Sequence, residues 1–293
     1  MEGKEKKIIA LDIGGTFIKY GVFTDSYREL KSGKEETVVS VDGFFRQICG
    51  IVEKLSEEHG DYCGIAVSAP GFIDTKTGIN TDFSIDECFT RHNLKRELED
   101  IFDCPVSIEN DCNCAALAER DLGSGADGED FLMITLGTGI GGAIVRDNKL
   151  YTGANFKAGE LGFCILGPGK EVGATSLLVD KVSKYIGEKI NGEYVFSHMY
   201  NEGISYIYEK WLEDLAVVIG NAIALLDPKK VLIGGGISAE PAFINDLREK
   251  IYSLFPFREY TQIHPCHFKN DAGKWGAVSL FIEQNGNNEV KAV

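Results

Sequence analysis

The feature that most limits how this chain can fold is a short motif that occurs twice. Residues 7–11 form an apolar run that reaches Asp12, bends through Gly14-Gly15-Thr16 and resumes as a β-rich run over 18–23. A polar, glycine-rich linker occupies 123–128. Past it, residues 131–136 repeat the apolar run, Gly137-Thr138-Gly139-Ile140-Gly141-Gly142 repeat the turn, and 143–145 resume the strand. Each copy reads as strand, glycine turn, strand, because glycine tolerates the sharp reversal and apolar runs of this length fit buried strands. One copy in each half predicts a duplicated architecture with a cleft between the halves.

The segments around the copies alternate in type. Phe44, Phe45, Ile48, Ile51, Val52 and Leu55 have helical spacing, and 64–68 is a short β-run closed by Pro70-Gly71. A helix is predicted over 94–102 and a strand over 106–108. Glu109-Asn110-Asp111 then leads into a helix over 112–122 that stops at Gly123. In the second half, helices are predicted over 176–190 and 207–226. A strand over 231–233 runs into Gly234-Gly235-Gly236, and helices over 243–255 and 275–283 follow. This alternation predicts an α/β fold with helices covering the sheets. At 293 residues the chain exceeds one compact core. It is expected to divide into a small N-terminal α/β domain, 1–122, and a large C-terminal α/β domain, 123–274. A C-terminal helix at about 275–293 is expected to pack back on the first domain.

Charge narrows the partners. With 30 basic against 45 acidic residues the formal net charge is −15, a surface that repels nucleic acid and anionic lipid. Phosphate ligands stay open, since backbone N–H groups and a metal can bind them without Lys or Arg. The opening apolar run is too short for a secretion signal. The apolar stretch at 215–226 is interrupted by Gly220 and Asn221 and reads as a buried helix. A cytoplasmic protein with neither nucleic-acid nor membrane partners is expected. The eight cysteines then read as free thiols. Neither Cys112-x-Cys114 nor Cys266 between His264 and His267 has a second pair at zinc spacing.

Four constellations carry chemistry. In the first, glycines at 14 and 15 let backbone N–H groups approach an anion, Thr16 adds a hydroxyl, and Asp12 suits a water-mediated hold on Mg²⁺; a plain β-hairpin turn is the other reading. The second, Gly137 through Gly142, also matches G-x-G-x-x-G, with Glu160 near the spacing of a ribose-binding acid. A dinucleotide site needs a helix to open at those glycines. Ala143-Ile144-Val145 and Asp147-Asn148 read instead as strand and turn. The third, Gly234-Gly235-Gly236, clears side chains from a strand exit where a flat base or ribose could lie. The fourth, Asn110-Asp111, is either a helix N-cap or a carbohydrate-binding pair that holds a base.

In this order the motifs resemble the ROK (repressor, open reading frame, kinase) group of sugar kinases, within the actin–hexokinase-like superfamily. The resemblance runs through Asp12 to Lys19, Ala69-Pro70-Gly71 with Asp74, Glu109-Asn110-Asp111, Gly137 to Gly142, Gly159-Glu160-Leu161-Gly162, and Gly234 to Ser238. It implies a two-domain actin-like ATPase (ribonuclease H-like) fold. The implied activity is ATP- and Mg²⁺-dependent phosphorylation of a hexose or hexoside, expected at the 6-hydroxyl. It makes Asp111 the catalytic base, with Gly71, Asn110, Asp111 and Glu160 toward the sugar. Asp12, Gly14, Gly15, Thr16, Lys19, Thr138, Gly139, Gly235 and Gly236 fall toward ATP, with Asp12 holding magnesium through water. A homodimer is implied as well.

Two departures stand out. Phe163 replaces the histidine that often follows G-E-x-G in the family. The cysteine-rich zinc loop that follows it there is missing, because Cys164-Ile165-Leu166-Gly167-Pro168-Gly169 runs on directly to Ala174-Thr175-Ser176. No structural zinc is expected. An open pocket side suits a β-glucoside with a bulky aglycone, or an N-acylated hexosamine such as N-acetylmannosamine. Thr81 to Arg91 departs from the family pattern and does not decide between them. A sugar-responsive regulator of the same group, or a non-catalytic sugar-binding protein, is the alternative from another class. Only eleven residues precede Asp12, too few for a DNA-binding domain, and Asp111 is retained.

Overall fold

A strand that is apolar on both faces needs cover on both sides, and β1 (Lys7–Ile13) is such a strand. Ile9, Leu11 and Ile13 enter one core, while Ile8 and Ala10 enter another. The computed structural model describes residues 5–82, 85–167, 170–171 and 173–286. It divides into two compact units: unit 1 is 1–121, 153–157 and 271–293, and unit 2 is 122–152 and 158–270.

In unit 1, β2 (Phe17–Thr24) returns antiparallel to β1, with Asp12 opposite Lys19 and Ile13 opposite Ile18. The strand β3 (Glu29–Glu36) adds an edge. The helix α1 (Val41–His59) buries Phe44, Ile48, Ile51, Val52 and Leu55, five of the six residues read as its apolar stripe. Then follow β4 (Ile65–Ala69), α2 (Leu94–Phe102), β5 (Val106–Asn110) and α3 (Asp111–Leu122). The sheet order is β3-β2-β1-β4-β5, with β1, β4 and β5 parallel. The strand β3 was not foreseen because its sequence, ELKSGKEE, has no apolar alternation; charge on an edge strand discourages further pairing.

Unit 2 begins with β6 (Phe131–Leu136), β7 (Ile140–Arg146) and β8 (Lys149–Tyr151), followed by a ribbon of β9 (Ile165–Gly167) and β10 (Lys170–Glu171). Next come α4 (Thr175–Ile186), α5 (Gly192–Ser197), α6 (Glu202–Leu226), β11 (Lys230–Gly234), α7 (Pro241–Leu254) and β12 (Gln262–Pro265). The helix expected over 176–190 is shorter, because Gly187 turns left-handed at φ 85° and closes α4 at Ile186. The sheet order is β12-β11-β6-β7-β8, with β6, β11 and β12 parallel and β7 and β8 antiparallel. Order and direction repeat those of unit 1. Leu132 and Ile134 of β6 pack with Trp211, Leu215 and Ile219 of α6 and Phe243 and Leu247 of α7.

The chain then re-enters unit 1 as α8 (Ala272–Asn285), which packs on β1, β4 and β5. Its Ala277, Val278 and Phe281 fill the second core beside Ile8, Ala10, Ala66 and Cys114. A Cβ at Gly276 would overlap the Cys114 carbonyl in α3, so glycine is required where these helices meet. All eight cysteines are free. Among the described residues, no helix is long and apolar enough to cross a membrane. No group of three or more His, Cys, Asp or Glu there is placed to hold a metal. Phe83 and Ser84 of the Thr81 to Arg91 stretch, and Pro168 and Gly169 of the run after Phe163, lie outside the described residues.

Candidate active site

Unit 1 brings its candidate residues to the ends of β1, β4 and β5. The Gly14-Gly15-Thr16 turn is a β-hairpin, closed by the Gly14 N–H donating to the Phe17 carbonyl at 3.0 Å and braced by Thr37, whose hydroxyl donates to the Gly14 carbonyl at 2.6 Å. A Cβ at Gly15 would meet nothing within 4 Å, so the outer side of the turn is open. Asp12 precedes the turn with little exposed surface. Ser68 Oγ, beside it on β4, donates to Oδ1 at 2.8 Å, and Lys19 Nζ stands 3.7 Å from Oδ2. Burial pushes the Asp12 carboxyl upward against the pull of Ser68 and Lys19. Lys19 also lies 3.9 Å from Asp271.

At the β5–α3 junction Asn110 does most of the capping. Its Oδ1 accepts the N–H groups of Cys112 at 2.9 Å and Asn113 at 3.1 Å, and its Nδ2 donates to the Gly71 carbonyl at 3.0 Å. Gly71 itself is left-handed, φ 105°, with the Asn80 side chain where a Cβ would sit. Asp111 follows, exposed, with its Oδ1 also accepting the Cys112 N–H at 2.8 Å. Desolvation by the surrounding protein, then repulsion from Asp12, pushes its carboxyl up to about 6. The open face lets water temper that push. Glu109, one residue back on β5, is buried and pushed up to about 7 by desolvation. Its Oε1 accepts from the Asn110 N–H at 2.7 Å and Asn113 Nδ2 at 3.0 Å. Asp12 offers the hard oxygen donor that suits magnesium, which commonly takes one or two carboxylates and completes its shell with water and phosphate.

Unit 2 offers no carboxylate at its turn. Gly137, Thr138 and Gly139 are exposed between β6 and β7, and no helix opens there. The turn is anchored by Ser176 at the start of α4: its N–H donates to the Gly137 carbonyl at 3.2 Å and its hydroxyl to the Thr138 carbonyl at 2.7 Å. Gly235 is left-handed, φ 89°, and a Cβ there would overlap the Leu136 carbonyl, while Gly236 is open. Beside Gly236 lies a recess of about 320 Å³ lined by Thr175, Asn191, Glu193, Phe196, Ile237 and Glu240 among others. Glu160 sits at the head of a single 3₁₀ turn, Leu161–Phe163. Gly159 and Gly162 bring that loop onto β7, where side chains would overlap the Gly142 and Ile140 carbonyls. Phe163 is 63% exposed and does not belong to the core.

Within unit 1 the structure thus collects Asp12, the 14–16 turn, Lys19, Gly71, Asn110 and Asp111 on neighbouring strand ends. Within unit 2, the 138–139 turn and Gly235-Gly236 lie at the ends of paired β6 and β11. Sequence reasoning passed over Ser68, Asp271 and the recess residues. Ser68 is the one polar residue of an all-buried β4, and that lone hydroxyl was the available signal.

Comparison with known proteins agrees in one direction. Residues 8–284 match the model of the ROK family. A beta-glucoside kinase of Listeria innocua is 37% identical over 97% of this chain and 100% of its own. A solved structure from Listeria monocytogenes, described as a candidate N-acetylmannosamine kinase, is 34% identical with a TM-score of 0.86, over 95% of this chain and 99% of that one. A ROK family glucokinase from Streptomyces griseus, solved with glucose and AMPPNP, is 26% identical with a TM-score of 0.79, over 94% and 98%.

Proposed function

The chain belongs to the ROK family and is an ATP-dependent carbohydrate kinase, and from that premise we propose that it phosphorylates the 6-hydroxyl of a β-glucoside or glucose, with Asp111 as the base. The observation that carries the assignment is the β5–α3 junction. Asn110 caps the helix, and although Asp111 Oδ1 shares the Cys112 N–H at 2.8 Å, the residue stays exposed and Oδ2 is left to face a substrate hydroxyl. A carboxyl near 6 is ionised at neutral pH yet more basic than an ordinary aspartate, which suits proton acceptance from a hydroxyl.

The other residues position. Asn110 is locked by its cap and by the Gly71 carbonyl, and with Gly71 and Glu160 would hold sugar hydroxyls. The N–H groups of Gly15 and Thr16 in the turn that Gly14 closes, and of Thr138 and Gly139 in unit 2, would be the phosphate grips, and Lys19 adds charge beside Asp12. Gly235 and Gly236 form the nucleoside wall, with the recess beside Gly236 for base or ribose. Asp12 would hold magnesium through water, and magnesium when bound offsets charge on the phosphate oxygens. Phosphoryl transfer passes through a loose transition state, so holding these groups in line is most of what the protein contributes.

For the sugar, the exposed Phe163 and Ile165 give the loop after Glu160 an apolar outer surface. Such a surface suits an aglycone, as does the 37% identity to a beta-glucoside kinase. N-acetylmannosamine is the second reading, supported by the Listeria monocytogenes neighbour. We also infer a cytoplasmic homodimer. The test is an ADP-release assay across glucose, cellobiose-type β-glucosides and N-acetylmannosamine, with the phosphorylated carbon located by NMR. Cellobiose-type glucosides should equal or exceed glucose in kcat/KM, with phosphate on O6. Preference for unsubstituted glucose, or phosphate elsewhere, defeats the specific assignment.

A further inference from the structure

None of the recognised motifs includes Gly273. It lies in the first turn of α8, the helix that returns the chain to unit 1. A Cβ built there would overlap Oδ1 and Cγ of Asp12 and lie 2.8 Å from Oδ2. The Asp12 carboxylate therefore fills the space that any side chain at 273 would need. Glycine inside a helix costs roughly 0.5–1 kcal/mol relative to alanine, so helix stability alone would favour another residue here.

The same turn also sets the charge around that carboxylate. Asp271, at the N-cap of α8, lies 3.9 Å from the Lys19 ammonium that faces Asp12. Lys274, next to Gly273, acts on Asp12 electrostatically. Its buried ammonium is fixed by Glu29 at 2.7 Å and by Ser32 on β3. With Ser68 donating to Oδ1 from β4, three elements of unit 1 converge on one carboxylate.

We propose that Gly273 is a positioning residue: its missing side chain seats the Asp12 carboxylate against the start of α8 and so fixes where the metal and phosphate end of the nucleotide is held. This rests on the role given to Asp12 above. Gly276, one turn further along the same helix, provides the contrast. A side chain there would meet the backbone carbonyl of Cys114, which cannot turn aside, whereas the Asp12 carboxylate can rotate. Substitution at 276 should damage the fold, and substitution at 273 should spare the fold and displace Asp12.

The experiment compares wild type, Gly273→Ala, Gly276→Ala and Asp12→Asn. Ligand-free melting, steady-state kinetics with sugar, ATP and Mg²⁺ varied separately, and calorimetric titration with ATP in the presence and absence of Mg²⁺ are measured for each. Gly273→Ala should melt near wild type and keep its sugar KM. Its kcat/KM for MgATP should fall by about 10- to 100-fold, the scale of ångström-level misplacement. Half-saturating Mg²⁺ should rise, and the binding advantage of MgATP over ATP should shrink toward that of Asp12→Asn. Gly276→Ala should instead melt early. Wild-type Mg²⁺ dependence and MgATP binding in Gly273→Ala, beside an impaired Asp12→Asn, overturn the proposal. So does a Gly273→Ala protein that melts as early as Gly276→Ala. An Asp12→Asn enzyme equal to wild type instead removes the role of Asp12 itself, and the proposal with it.

Discussion

The two sheets share strand order and direction, yet equivalent places in them carry different chemistry. In unit 1, Asp12 stands on β1 two residues before the glycine turn, opposite Lys19 on β2 and Ser68 on β4. In unit 2, Thr135 stands on β6 two residues before its turn, opposite Gly141 on β7 and Gly234 on β11. The strand after β4 ends in Glu109-Asn110 and runs straight into Asp111, whereas the strand after β11 ends in Pro265 and is followed by Cys266. One scaffold thus supports a set of raised carboxyls in unit 1 and an uncharged set of glycines and hydroxyls at the turns of unit 2. Proton transfer needs a titratable group, while holding a polyanion is best done without acids nearby. On the proposed roles, proton acceptance falls to unit 1 alone, while phosphate is shared between its 14–16 turn and the carboxylate-free turn of unit 2.

The first prediction breaks the charged side. Asp111→Asn keeps the shape of the β5–α3 junction and the Asn110 cap, and should lower kcat by at least about 10²-fold, the usual scale for losing a general base. Melting should change little. The wild-type pH profile should fall on the acid side near pH 6, because the base must be ionised and its carboxyl is pushed up to about 6. Full activity in Asp111→Asn, or a profile flat to pH 5, contradicts the assignment.

Glu109 sharpens the same side through stability. Its folded value, about 7, exceeds the ordinary 4.5, so the native state holds an extra proton between those values, and stability falls as pH rises through that window. Glu109→Gln keeps an oxygen to accept both hydrogen bonds and removes the buried charge. It should gain up to about 3 kcal/mol relative to wild type at pH 8, and little at pH 4.5, on the basis of 1.36 kcal/mol per unit. Equal melting differences at the two pH values would refute a buried carboxylate penalty.

On the uncharged side, Gly235→Ala forces a side chain onto the Leu136 carbonyl at φ 89°, and should cost about 1–3 kcal/mol, seen as a lower Tm at every pH. The smallest effect is expected at Thr138, whose side chain is exposed. Thr138→Ala should raise the KM for ATP several-fold, with Tm and the pH profile unmoved, since a neutral hydrogen bond is worth about 0.5–1.5 kcal/mol. A pH-dependent effect at either position would erase the contrast between the units.

Much of this was legible because strong local rules agreed with the fold. The helical stripe from Phe44 to Leu55, the β6 run and the α2 boundaries all coincide with periodic apolar residues. What the sequence hid had no local signature. The β3 strand is mostly charged, β12 is four residues long, and α5 is a six-residue helix opened by the Asn191 cap. The candidate site divides the same way. The Asp12, Asn110 and Asp111 positions sit in motifs that can be read along the chain. Ser68 and Gly273 matter only through what the fold sets beside them, and neither residue type announces a role.

The return of α8 to unit 1 bears on how the protein is made. The strands β1, β4 and β5 leave the ribosome early, but the helix that covers their second face emerges only after the whole of unit 2. Until then Ile8, Ala10, Ala66 and Phe23 lack their cover, and the Asp12 carboxylate lacks its seat. The first unit to be synthesised is thus the last to be completed, and a nascent chain carries Asp12 long before it has the helix that seats it.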